Sequence, residues 1–258
     1  MKVLIFPTAE HAVSRVADTL RAQVRANPEA VLGLATGGTM EPVYRALIAG
    51  AAGLSFARVT TFNLDEYVGL APEHPQSYHA YMRRHLFDHL DMDPARLHLP
   101  RGDAESPNAE AARYDDAIGA AGGVDLQLLG LGANGHIGFN EPGSSLGSRT
   151  RIKTLTRKTR DANARFFGPG EEVPRYAITM GIATIMEARE VVLLATGPHK
   201  AEAAANTVEG PVSAFCPASM IQFHRHATVV LDEEAAADLR LRDYYQTVHP
   251  GGEEVNLG

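Results

Sequence analysis

The chain has 258 residues, 45% of them hydrophobic and 21% charged, the balance of an ordinary globular protein long enough to bury a sizeable core. Its 24 Lys and Arg against 31 Asp and Glu leave a net charge of −7, which argues against nonspecific nucleic-acid binding but leaves room for a local basic pocket holding an anionic metabolite. The lone Cys216 excludes an intramolecular disulfide and a cysteine-built metal site, and no apolar run reaches the 18 residues of a membrane span. The apolar run near the N-terminus is too short for a signal peptide, so a soluble, cytoplasmic protein is expected.

In chain order, Lys2–Phe6 reads as a strand closed by Pro7. Thr8 then caps a helix over Ala9–Ala26, with Val13, Val16, Ala17, Leu20 and Val24 on one face. Residues 31–35 form a second strand, followed at once by Thr36-Gly37-Gly38-Thr39 and a helix over 42–49 with Pro42 in its first turn. Strand, small-residue loop and helix start is an arrangement in which backbone N–H groups receive a phosphate. No Gly-Lys-Ser/Thr follows, so it is not a Walker loop, and the competing reading is an ordinary βα turn. A third strand spans 58–64 and leaves Asp65 at its carboxyl end, as a helix cap or a catalytic base; the local pattern by itself favours the cap. A helix follows over 77–90, whose His79, His85 and His89 lack metal-ligand spacing and read as surface or packing residues. Residues 97–99 make a brief strand and 108–121 a helix ending at Gly122-Gly123.

Residues 124–131 have the length and bias of a buried parallel strand. The chain then breaks into a glycine-punctuated loop presenting Asn134, His136, Asn140 and Glu141 just past the strand's carboxyl end, the rim where open α/β sheets bind ligands. A histidine and a carboxylate five residues apart there point to proton transfer; the alternative is a tight turn with a surface histidine. Gly130, Gly132 and Gly135 also fit the dinucleotide fingerprint, but Gly138 and Pro142 oppose the helix that fingerprint requires.

Arg149, Arg151, Lys153, Arg157, Lys158, Arg160 and Arg165 make the next stretch the most basic of the chain, either a solvated face or a source of phosphate ligands. A helix is expected over 159–167, strands over 176–180 and Glu190–Ala195, and an Ala-rich helix whose start carries Lys200, a second candidate phosphate ligand. A last strand over 227–231 and a helix over 232–245 close the pattern. Strands alternating with helices, without linker or repeat, give one α/β domain over 1–246 with a doubly wound, mostly parallel sheet and helices on both faces. The tail over 247–258, with its Pro and Gly residues, is expected to fray.

LGLATGGT, TFNLDEYVGL, GHIGFNEPGSSLGSRTRIKTLT and RFF…VPRYAIT together resemble the glucosamine-6-phosphate deaminase family over nearly the whole chain. The resemblance implies conversion of glucosamine 6-phosphate and water to fructose 6-phosphate and ammonia, without metal or organic cofactor. It implies that Asp65 is the general base moving a proton from C2 to C1, that His136 opens the sugar ring, and that Glu141 orients and polarises that histidine. Asn134 stands where other members carry an aspartate, which limits it to orientation and leaves the charge to Glu141. Thr36, Gly37, Gly38 and Thr39, with Arg165 and Lys200, match the phosphate site. Ser144, Arg151, Lys153 and Thr154 match positions where some members, assembled as hexamers, bind the activator N-acetylglucosamine 6-phosphate, so a homo-oligomer is expected. The rivals are a 6-phosphogluconolactonase, a galactosamine 6-phosphate enzyme and a sugar-phosphate-binding sensor. NEPGSS and DEYVG speak against the first, and an acidic chain starting directly on its first strand, with no helix-turn-helix, against the last.

Overall fold

A computed structural model of the chain describes residues 1–164, 167, 168 and 170–253. Seven strands form one sheet in the order β1 (Lys2–Phe6), β10 (Ala227–Asp232), β9 (Glu190–Ala195), β6 (Leu126–Gly130), β2 (Val31–Leu34), β3 (Thr60–Asn63) and β5 (Leu97–His98). Every neighbouring pair is parallel. The chain winds from β2 outward through β3 to β5, then returns to β6 on the other side of β2 and winds outward again. The strand order therefore reverses between β2 and β6, the place where such sheets open a crevice beyond their carboxyl ends.

The middle strands are apolar because helices cover them. Leu128 and Leu129 of β6 and Leu193 and Leu194 of β9 are fully buried. Helix α1 (Ala9–Ala26) turns Ala12, Val13, Val16, Ala17, Leu20 and Val24 inward, and its cap Thr8 accepts from the His11 backbone N–H. Helix α2 (Met40–Ala49) starts two residues before the expected boundary, which leaves Pro42 in its first turn, where no intrahelical donor is needed.

Three differences from the sequence reading matter for function. First, a separate three-stranded sheet, β4 (Asp65–Tyr67), β8 (Tyr176–Thr179) and β7 (Arg151–Thr154), packs beside the main one with both its pairs antiparallel. Asp65 is thus a strand residue and caps no helix. Glu66 takes the capping work, its Oε1 accepting from Tyr78 N at 3.1 Å and its Oε2 from His79 N at 3.1 Å, the first amides of α3 (Tyr78–His85). Second, the helix expected over 232–245 is confined to α8 (Arg242–Val248). The Asp232 carboxylate instead accepts from Gly197 N and Ala235 N, holding the chain in turns. Third, ordered structure extends past position 247 into a 3-10 turn over Pro250–Gly252, with Gly252 buried against Phe6. The tail residues 254–258 lie outside the described residues. Among the described residues no helix is long and apolar enough to cross a membrane.

Candidate active site

A cleft of about 350 Å³ opens at the carboxyl ends of β2, β3, β6 and β9. Its wall includes Thr36, Gly37, Gly38 and Thr39 after β2, Asp65 after β3, Asn134, His136 and Glu141 after β6, and Lys200 after β9. Residues more than a hundred positions apart in the chain thus meet because the loops that carry them leave one edge of one sheet.

The loop after β6 is built by its own hydrogen bonds. Gly132 N donates to His136 O at 2.9 Å and Gly135 N to Gly132 O at 2.9 Å. Buried Asn140 pins the loop's far end, its Nδ2 donating to Ile137 O and Met180 O, both at 2.9 Å. No helix starts within the three glycines, which disposes of the dinucleotide reading. Gly132 is required sterically, because a Cβ there would stand 2.2 Å from the His136 ring. Gly138 has φ +55°, and a Cβ on it would press on Thr179 Oγ1 at 3.0 Å and Asp65 Oδ2 at 3.3 Å.

Within this loop the polar groups form a directed chain. Asn134 Oδ1 lies 2.6 Å from His136 Nδ1 and also accepts from His136 N at 3.3 Å. Asn134 Nδ2 donates to Glu141 Oε2 at 2.6 Å. Because the amide NH₂ faces the carboxylate, its oxygen faces the imidazole, so Nδ1 carries the proton and Nε2 keeps a free lone pair. His136 Nδ1 is 3.7 Å from Glu141 Oε2, near enough for the carboxylate to steady a cationic ring. Burial lowers the His136 pKa, Glu141 opposes that and Lys200 adds to it, which favours neutral imidazole in the empty site.

Asp65 and Glu66 are both buried. Burial pushes the Asp65 carboxyl up to about 8, and the neighbouring Glu66 charge adds to the rise. Burial also raises Glu66, to about 7, against three backbone donors from Tyr67, Tyr78 and His79 that favour its charged form. Burial lowers the Lys200 pKa. A half-buried lysine in the same cleft as the exposed backbone of Gly37 and Gly38 at a helix start is a physically apt receptor for a phosphate.

Arg165 lies outside the described residues. Ser144, Arg151, Lys153 and Thr154 are not among the residues that line the cleft. Ser144 is buried beyond Glu141 with no partner for its hydroxyl among the described residues, and the other three lie along β7. Sequence reasoning missed Tyr78, Thr156 and Thr159, which also line the cleft. Ser77 and Thr156 cap α3 and α5 (Arg157–Asn163), so a search for Ser/Thr caps would have put Tyr78 and Thr159 in first turns, though not in the cleft.

A model of glucosamine-6-phosphate isomerases/6-phosphogluconolactonase matches residues 7–230. A glucosamine-6-phosphate deaminase of Rhodopirellula baltica is 57% identical over 244 residues, spanning 94% of this chain and 97% of its own. One of Streptomyces coelicolor is 54% identical over 251 residues, 95% of each chain. Among solved structures, a monomeric glucosamine-6-phosphate deaminase superposes with a TM-score of 0.89 at 46% identity, over 92% of this chain and all of the other. The 6-phosphogluconolactonase of Trypanosoma brucei, at 20% identity and a TM-score of 0.71 over 92% and 98% of the two chains, shares the fold alone. By the family model and by identity along almost its full length, the chain belongs to the glucosamine-6-phosphate isomerase/6-phosphogluconolactonase family, among its glucosamine-6-phosphate deaminases.

Proposed function

We propose that the protein is a cytoplasmic glucosamine-6-phosphate deaminase that converts its substrate and water to fructose 6-phosphate and ammonia. The observation that carries the reading is one cleft lined by a His136–Asn134–Glu141 hydrogen-bond chain, a buried carboxyl at Asp65, and a Gly-Gly loop with Lys200. The loop at Thr36–Thr39 and Lys200, with Arg165, hold the phosphate, and that binding energy orients the distant C1–C2 edge. His136 Nε2 takes the anomeric hydroxyl proton and returns a proton to the ring oxygen, which opens the ring. While the ring is cationic, Glu141 steadies it through Asn134, whose amide has no charge of its own. Asp65 then removes the C2 proton to give an enolamine and delivers it to C1. Water attacks the resulting ketimine, and ammonia leaves. An empty-site Asp65 with a pKa of about 8 is largely protonated at neutral pH. The C2 ammonium of the arriving substrate opposes that burial effect and favours the carboxylate the reaction needs.

Incubation with glucosamine 6-phosphate should release ammonia and a ketose phosphate in equal amounts. Galactosamine 6-phosphate and 6-phosphogluconolactone serve as the competing substrates. Preferential turnover of either would overturn the assignment.

We further propose that Ser144, Arg151, Lys153 and Thr154 bind a second phosphosugar, N-acetylglucosamine 6-phosphate, as an activator in an oligomer. In support, Arg151 and Lys153 stand two apart on one strand, with no ion-pair partner among the described residues, and burial disfavours the charge of each. An anion between them would relieve both. The solved deaminase at 46% identity is monomeric, so the oligomeric state needs its own measurement. Saturation curves that become hyperbolic with the activator, and an unresponsive Lys153→Ala, are the expected outcome. A curve the activator leaves unchanged would reduce these residues to structural ones.

A further inference from the structure

Glu141 is held at both oxygens, and only one of its partners belongs to its own loop. Oε2 accepts from Asn134 Nδ2, while Oε1 accepts from Thr159 Oγ1 at 2.5 Å. Thr159 is the third residue of α5 and lines the cleft. The protons along this path are determined by elimination. An ionised carboxylate only accepts, so the single hydroxyl proton of Thr159 points at Glu141. Thr156 Oγ1, 2.9 Å from Thr159 Oγ1, must then donate to it, while accepting Thr159 N–H at 3.1 Å as the helix cap. The chain of donors runs from the α5 cap through Thr159 to Glu141, and Glu141 in turn fixes the amide that faces His136.

This anchoring has a particular consequence in a chain with Asn134. An aspartate at that position presents an acceptor to His136 whichever way it turns. An amide does so only while its NH₂ is claimed by Glu141. If Glu141 loses Oε1's donor, it is free to rotate, and Asn134 can turn its NH₂ toward His136. The imidazole would then have to carry its proton on Nε2, the wrong atom for accepting one from the anomeric hydroxyl.

We propose that Thr159 is a positioning residue for ring opening, which acts by locking Glu141 and thereby the orientation of Asn134 and the tautomer of His136. The proposal rests on the reading of His136 as the ring-opening group. Asp65→Asn provides the background for its test, because with isomerisation blocked the enzyme can still interconvert the α and β anomers of glucosamine 6-phosphate. That exchange is read by NMR and reports ring opening alone. Adding Thr159→Val should slow enzyme-catalysed anomer exchange roughly ten- to a hundredfold, the scale of one hydrogen bond to a charged group, and leave binding of a phosphorylated inhibitor unchanged. Adding Thr159→Ser, which restores the donor, should keep the exchange within a few-fold of the background. Should the valine variant not fold, Thr159→Ala, which suits a helix, should show the same loss.

Exchange unaffected by Val or Ala would remove Thr159 from the mechanism while leaving His136 in it. Equal losses in the Ser and Val variants would show a role in shape rather than in donation, and would also overturn the proposal. If Asp65→Asn exchanges anomers no faster than Asp65→Asn with His136→Gln, the ring-opening reading itself fails and this proposal falls with it.

Discussion

A methyl group added at position 132 would stand 2.2 Å from both Nδ1 and Cε1 of His136, well inside van der Waals contact. The imidazole lies directly over the backbone of Gly132, while Gly132 N bonds back to His136 O. The glycine is therefore part of the histidine's seat, and the ring cannot give way without leaving Asn134. Gly132→Ala should lower turnover by roughly a hundredfold, the cost of displacing a catalytic group by about an ångström. Binding of a phosphorylated inhibitor should stay near wild type, because the β2–α2 loop and Lys200 are untouched. Turnover within a few-fold of wild type would mean that His136 does its work from another position. The same scale shows what one residue letter conceals. Asn134 looks like a weakened aspartate in the sequence, yet its amide joins His136 to Glu141 by two hydrogen bonds of 2.6 Å, one at each end.

At the scale of elements, long apolar runs were legible and short polar strands were not. β1, β9 and the strand after Gly123 are apolar because they are covered on both faces, and that pattern is local. β4 and β7 have three and four residues, and most of their residues are polar or charged. They exist because β8 pairs with both, contacts that span up to 114 residues from Asp65 to Thr179. Asp65, read locally as a helix cap, shows the same limit. It caps no helix, and only the fold decides that its neighbour Glu66 reaches the amides of Tyr78 and His79, twelve and thirteen residues on. The helix expected from position 232 is confined to α8: the Asp232 carboxylate makes the local bond to Ala235 N that a helix start would make and also accepts from Gly197 N, yet turns follow it rather than a helix. The loop after β6 was readable because its glycines, amides, histidine and carboxylate sit within a dozen residues. Thr159 was not, because its partner Glu141 is eighteen residues away and on a different element.

For the whole molecule, gathering four strand ends at one switch point places two adjacent carboxyls, Asp65 and Glu66, in the interior. Glu66 is compensated by three backbone donors; no hydrogen bond to the Asp65 carboxyl is present among the described residues. That arrangement ties stability to pH with a definite sign. A folded-state pKa of about 8 against an ordinary value of 3.8 means that the folded protein retains a proton which the unfolded chain has already released. The folded state binds more protons throughout that window, so stability falls as pH rises from about 4 to about 8, and the loss is complete above it. Asp65→Asn removes this charge with little change of shape. Measured by urea or thermal unfolding, the variant should gain on wild type as pH rises, by on the order of 2–5 kcal/mol near pH 8, at about 1.4 kcal/mol per pKa unit discounted for relaxation and its coupling to Glu66. The advantage should shrink toward pH 4 and vanish below the ordinary value of 3.8, where both Asp65 and its unfolded counterpart are protonated. At the same time its deaminase turnover should fall by roughly two or more orders of magnitude, the usual loss when a general base is removed. A variant that is more stable in alkali yet inactive is what a base held uncompensated for chemistry requires. Parallel stability curves for the two proteins would instead mean that Asp65 is already compensated in the folded state and does not have the raised proton affinity the buried site imposes.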